Sequence, residues 1–229
     1  MPLSSPMHGV PKSARPLALL RLLEKHRLIL HISASDREMA QLSQALSFFA
    51  PQAEILHFPA WDTMPYDRIS PRASLMAERM QTLAALLAPP ASKPCIVLTT
   101  VSAAIQKLPP KDAMKNAAVL IKAGQTFKQE AIVHALLAQG YRRAGKAMEP
   151  GEFALRGSLV DIVAPNLPHG IRIDFFGDDI ETIKPYDVLS QLSGGTLPQA
   201  ALLPVSEVLL NEETCARFRT RYRESFGAG

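Results

Sequence analysis

The chain has 229 residues, 47% of them hydrophobic and 20% charged, enough apolar material for one large or two small buried cores. A formal net charge of +4 permits contact with nucleic acid or an acidic partner but falls short of a concentrated basic footprint. No secretory apolar segment follows Met1, no run reaches the roughly 20 residues of a membrane span, and the two cysteines, Cys95 and Cys215, lie far apart, so the chain reads as cytoplasmic with free thiols.

Residues 1–16 are rich in Pro and Ser without a period, which predicts a flexible leader. Apolar runs at Leu28–Ile32, Ile55–Phe58, Cys95–Thr99 and Ala118–Ile121 then read as strands, with helical stretches at Asp36–Phe49 and Ala73–Leu87. This alternation predicts an α/β domain with a parallel sheet. A nucleotide site in such a sheet needs glycines after the first strand, so that backbone N–H groups can approach phosphate at a helix N-terminus. From Val10 to Ala123 there is no glycine, and the loop reads His31-Ile32-Ser33-Ala34-Ser35-Asp36, with Asp36 acceptable as a helix cap but repulsive to phosphate. The reading is a nucleotide-binding architecture that binds no ATP.

Pro109-Pro110 and the polar Lys111–Asn116 mark a boundary. Thr126-Phe127-Lys128-Gln129 has the form of a capping box, opening a helix that ends at Gly140. Glu149-Pro150-Gly151-Glu152 suits a type II turn leading into strands at Phe153–Arg156 and Ser158–Val163. Next, Ile171, Ile173 and Phe175 alternate with Arg172, Asp174 and Phe176, and Gly177-Asp178 is a hairpin signal. The prediction is a small antiparallel sheet with one wet face, Phe176 on that face at the hairpin shoulder. After Ser193-Gly194-Gly195, a strand at Val205–Leu210 and a helix from Asn211 to Phe226 read as the opening of a further element of a longer protein.

Candidate chemistry is sparse. The six histidines have no metal-ligand spacing, and Asp178-Asp179 reads as turn chemistry. Arg217, Arg219, Arg221 and Arg223 fall on two sides of a helix, which reads as solvated. Arg142, Arg143 and Lys146 beside Tyr141 suit either a phosphate contact or an exposed loop. Arg156, Arg172 and Phe176 have the composition of a binding hot spot; the competing reading is cross-strand pairing of the arginines with Asp161, Asp174 or Glu181.

Two segments carry a family resemblance. His57-Phe58-Pro59-Ala60-Trp61-Asp62-Thr63-Met64-Pro65-Tyr66-Asp67, followed by Ser70-Pro71 and Arg79, resembles the N-terminal signature of the bacterial transcription-repair coupling factors, the Mfd family. Met148-Glu149-Pro150-Gly151-Glu152-Phe153, Arg156-Gly157 and Arg172-Ile173-Asp174-Phe175-Phe176-Gly177-Asp178 are similar to the UvrA-contacting domain shared by that family and UvrB. The resemblance covers Phe58 to Gln191 and implies a UvrB homology module. Residues 17–116 would be a degenerate P-loop-NTPase-like parallel-sheet domain like the first motor domain of UvrB. Residues 117–204 would be an inserted small α+β UvrA-binding domain, and 205–229 the start of the part that resumes the first domain. It implies UvrA as partner through Arg156, Arg172 and Phe176, with no catalytic, cofactor or metal residue. The function implied is a non-catalytic adaptor bringing nucleotide excision repair to stalled RNA polymerase. Polymerase, DNA and the ATP-dependent translocase would belong to other parts of the full-length protein, against which the patch could also dock. The alternative is a UvrB-like DNA-binding or helicase fragment; the missing P-loop opposes it, as does a Trp61–Arg79 stretch whose only aromatics are Trp61 and Tyr66.

Overall fold

The computed structural model describes residues 8–64, 67–87, 93–208 and 212–227. Pro65 and Tyr66, the first seven residues of the predicted leader, the 209–210 end of the predicted strand and Asn211 at the start of the predicted helix lie outside the described residues. In chain order the elements are α1 (Arg15–Leu23), β1 (Leu28–Ser33), α2 (Asp36–Phe49), β2 (Glu54–Phe58), α3 (Ala73–Leu87), β3 (Cys95–Thr100), α4 (Val101–Ala104) and α5 (Lys111–Asn116). There follow β4 (Val119–Lys122), α6 (Gln129–Ala138), β5 (Arg142–Arg143), β6 (Glu152–Arg156), β7 (Leu159–Val163), β8 (Gly170–Phe176), β9 (Asp179–Tyr186), β10 (Gln199–Leu202) and α7 (Glu212–Phe226). The chain is a mixed α/β protein that divides into two compact units, residues 1–62 with 88–107, and residues 63–87 with 108–229.

The first unit holds a three-stranded parallel sheet in the order β1-β3-β2. Met39, Leu42 and Leu46 recur at helical spacing along α2 and bury against Ile29, Ile96 and Leu98. The cap of α2 is Ser35, whose hydroxyl accepts from the Glu38 N–H, and Asp36 lies inside the first turn. Order also begins before the predicted end of the leader: Lys12–Ala14 form a 3-10 turn, and α1 starts at Arg15 with Pro16 in its first turn, where a preset φ costs nothing. Lys12 and Arg15 both pair with Glu38, which holds that carboxyl below its usual range.

The second unit is built on a five-stranded sheet, β5-β6-β7-β8-β9, antiparallel apart from the short β5–β6 pair. One face carries the core, with Phe153, Ile162, Ile171, Ile173 and Ile183 packed against Ile132 and Leu136 of α6. The predicted turn is present: the Glu152 N–H bonds to Glu149 O, with Gly151 at φ 87°. Helix α6 ends at Ala138, two residues short of the predicted Gly140, which stands just past the cap at φ 87° with the Tyr141 N–H returning to Leu136 O.

Several expectations differ from the structure. The Ala118–Ile121 run is not a fourth parallel strand; β4 pairs antiparallel with β10 in a separate two-stranded sheet. The capping box does not close, because Thr126 Oγ1 donates to Asp179 Oδ1 (2.6 Å) and Gln129 Nε2 to Gly157 O (3.0 Å), leaving Lys128 at the cap without a side-chain bond. Val205–Val208 are not a strand. Arg142–Arg143 are not loop but strand, and Arg142 pairs with Glu152. Helix α7 is exposed, with Phe218, Tyr222 and Phe226 stacked one turn apart at ring separations of 5.9 and 4.9 Å.

Candidate protein-docking surface

The register of the five-stranded sheet decides which side chains share its outer face. Ala154, Asp161, Arg172 and Lys184 lie in one cross-strand row, and Arg156, Leu159, Asp174 and Thr182 in the next. A bulge between Asp174 and Phe175 shifts the pairing, the extra residue falling on β9 at Glu181. Alternation along β8 is therefore unbroken, Phe175 buried and Phe176 78% exposed. Gly177, at φ 63°, supplies the left-handed turn that leaves Phe176 at the tip. The three residues predicted as one patch thus share a face.

The arginines do more than face solvent. Asp161, 1% exposed between Val160 and Ile162, receives Arg172 Nε at 2.7 Å and Nη2 at 3.0 Å as a bidentate fork, and Arg156 Nη2 on the same carboxylate. Of the pairings weighed from sequence, the one with Asp161 forms; Asp174 accepts from Ser158 Oγ instead (3.0 Å). Burial pushes the Asp161 carboxyl up, but the hydrogen bonds and charges of Arg172 and Arg156 outweigh it and hold the group below its usual value. The Arg172 guanidinium also sits 5.0 Å above the Tyr186 ring. That ring lies flat across Gly170, where a Cβ would come within 2.2 Å of it, and its hydroxyl donates to Ala147 O (2.8 Å).

The remaining donors reach the segment after β9. Arg172 Nη1 bonds Gln191 O (3.2 Å) and Ser193 Oγ (2.9 Å), and Arg156 Nη2 bonds Gln191 Oε1 (3.2 Å). The side chain of Arg156 is 41% exposed and that of Arg172 only 15%. Arg172 is chiefly an internal anchor, while Arg156 and Phe176 present surface. Sequence reasoning missed the 187–193 segment; a lone aspartate in the run Leu159-Val160-Asp161-Ile162-Val163 was the available sign that paired cations lay opposite.

Other candidates contribute no chemistry. Among the described residues no cluster of His, Cys, Asp and Glu could hold a metal ion, and no helix is long and apolar enough to cross a membrane. Cys95 is buried, and burial, with Glu54 nearby, pushes its thiol up to about 11, far from a reactive thiolate.

The class of the second unit is indicated by its sequence: residues 119–208 match the family model of the UvrB interaction domain. The relatives extend over most of the chain. It is 34% identical over 199 residues to a transcription-repair-coupling factor of Rickettsia prowazekii, covering 87% of this chain and 17% of that protein. It is 34% identical over 224 residues to that of Myxococcus xanthus (94% and 18%), and 30% identical over 208 residues to that of Escherichia coli (90% and 17%). Over most of its length the chain is thus similar to bacterial transcription-repair-coupling factors, and it spans under a fifth of the length of these curated relatives.

Proposed function

We propose that this chain is a non-catalytic adaptor that binds UvrA through Arg156, Arg172 and Phe176, so that nucleotide excision repair is brought to stalled RNA polymerase. The observation that carries the reading is Phe176: a large aromatic held 78% exposed at a hairpin tip, on the face that bears both arginines, inside the segment matching the UvrB interaction domain. Residues 17–116 are read as a degenerate P-loop-NTPase-like domain, 117–204 as the inserted UvrA-binding domain and 205–229 as the start of the part that resumes the first. Support for the degenerate site is the glycine-free loop between β1 and α2, with acidic Asp36 and Glu38 in the first turn of that helix. Contacts with RNA polymerase and DNA, and ATP-driven translocation, are assigned to the rest of the full-length protein, in the cytoplasm.

Titration of the chain into purified UvrA tests this. Saturable binding is expected, and Phe176→Ala weakens it by about 1–4 kcal/mol while the melting temperature is unchanged, as a hot-spot truncation on the surface should. A folded Phe176→Ala chain that binds UvrA normally overturns the site. Saturable micromolar binding of ATP with Mg²⁺, or a DNA complex that survives 200 mM salt, would favour the UvrB-like alternative.

A further inference from the structure

We infer that Leu189 and Leu192 are contact residues of the same docking surface, held out in solvent by a loop that Arg172 and Arg156 anchor to the sheet; this rests on the UvrA-binding reading. The two leucines are 81% and 72% exposed. Slackness does not explain this exposure. The Asp187 N–H donates to Leu192 O (3.0 Å), Asp187 Oδ1 accepts from the Ser190 N–H (2.7 Å), and the Gln191 N–H donates to Asp187 O (2.8 Å). Gln191 Nε2 closes onto Val188 O (2.8 Å), and Val188 packs inward beside Tyr186. At φ 62°, Gln191 is the one non-glycine residue with positive φ among those described. A left-handed conformation in a side-chain-bearing residue persists only where its surroundings over-determine it. Here Arg172 grips the Gln191 carbonyl and Arg156 its side-chain oxygen.

The loop thus sorts its apolar side chains, one inward and two outward, and the outward pair continues the patch. Arg172 stands four residues from Phe176 along β8, about 13 Å at strand rise. Phe176, Arg156, Leu192 and Leu189 therefore fit within one face of an ordinary interface, roughly 800 Å². Arg156, its side chain 41% exposed, presents a guanidinium edge between the apolar anchors. That arrangement suits a carboxylate of UvrA ringed by apolar side chains.

The test is the affinity of the chain for purified UvrA. The Leu189→Ala/Leu192→Ala chain should lose about tenfold or more and Leu189→Asp/Leu192→Asp still more, each melting as the parent does. Leu137→Asp, at an exposed leucine of α6 on the other side of the sheet, should leave affinity unchanged. Parent affinity in both double variants overturns the inference and leaves the adaptor reading standing. Failure of the unmodified chain to bind UvrA overturns both, and an equal loss in Leu137→Asp overturns the assignment of these leucines as specific contacts.

Discussion

At the scale of single residues, the three patch members should respond differently to truncation. Phe176→Ala removes an exposed ring and spares the fold, whereas Arg172→Ala strips the buried Asp161 of its bidentate partner and frees the 187–193 loop. Arg172→Ala should therefore cost about 1–3 kcal/mol of stability, measured by urea denaturation, and more than Arg156→Ala, which removes a single contact from that carboxylate. A loss of UvrA affinity in Arg172→Ala then has two sources, and only Phe176→Ala and the leucine variants isolate surface contact. The Asp161 carboxyl also makes a pH prediction. Its folded value lies below that of the unfolded chain, so its stabilisation is complete above about pH 4 and is lost as pH falls through the lower folded value. Melting temperatures taken from pH 6 to 2.5 should show the gap between the parent and Asp161→Asn closing only below about pH 4.

At the scale of elements, hairpin chemistry positions the site. The Gly177 turn leaves Phe176 outward, and the bulge falls on β9, so the register of β8 is undisturbed. Gly170 is constrained from the opposite direction: a methyl there would overlap the Tyr186 ring at 2.2 Å. Gly170→Ala must displace that ring, breaking its bond to Ala147 and removing the platform under Arg172. A cost of about 3 kcal/mol in urea denaturation is expected, the upper end of overpacking, together with weaker UvrA binding.

At the scale of the second unit, a buried ion pair ties α3 to the chain beyond β10. Arg79 and Glu207, with side chains 0% and 2% exposed, form a two-pronged pair, Nε to Oε1 and Nη2 to Oε2 (3.1 Å). Glu207→Ala removes the two-pronged carboxylate partner of a fully buried guanidinium and should cost about 3–5 kcal/mol by thermal or urea melting. Replacing both members with apolar residues of similar volume should recover most of that loss.

Local pattern was enough for much of this protein. Local pattern located α2 and α3 at their observed limits; α2 buries one stripe, Met39, Leu42 and Leu46, at intervals of three and four, and α3 a broader face that takes in Arg79 and Thr82. Period two placed Phe176 outside, since its strand alternates without interruption to the turn, and the turn residues at Pro150-Gly151 and Gly177-Asp178 are backbone requirements that no distant partner alters. Tertiary structure decided what depends on a partner far along the chain. The β4 run pairs with Gln199–Leu202, whose alternation of small residues is too weak to read; Thr126 leaves its capping role for Asp179; Asp161 gathers two arginines and, through them, the 187–193 loop. In each case a group satisfiable in more than one way took the partner that folding brought within hydrogen-bond reach, and that proximity is a property of the folded chain and not of neighbouring residues in the sequence.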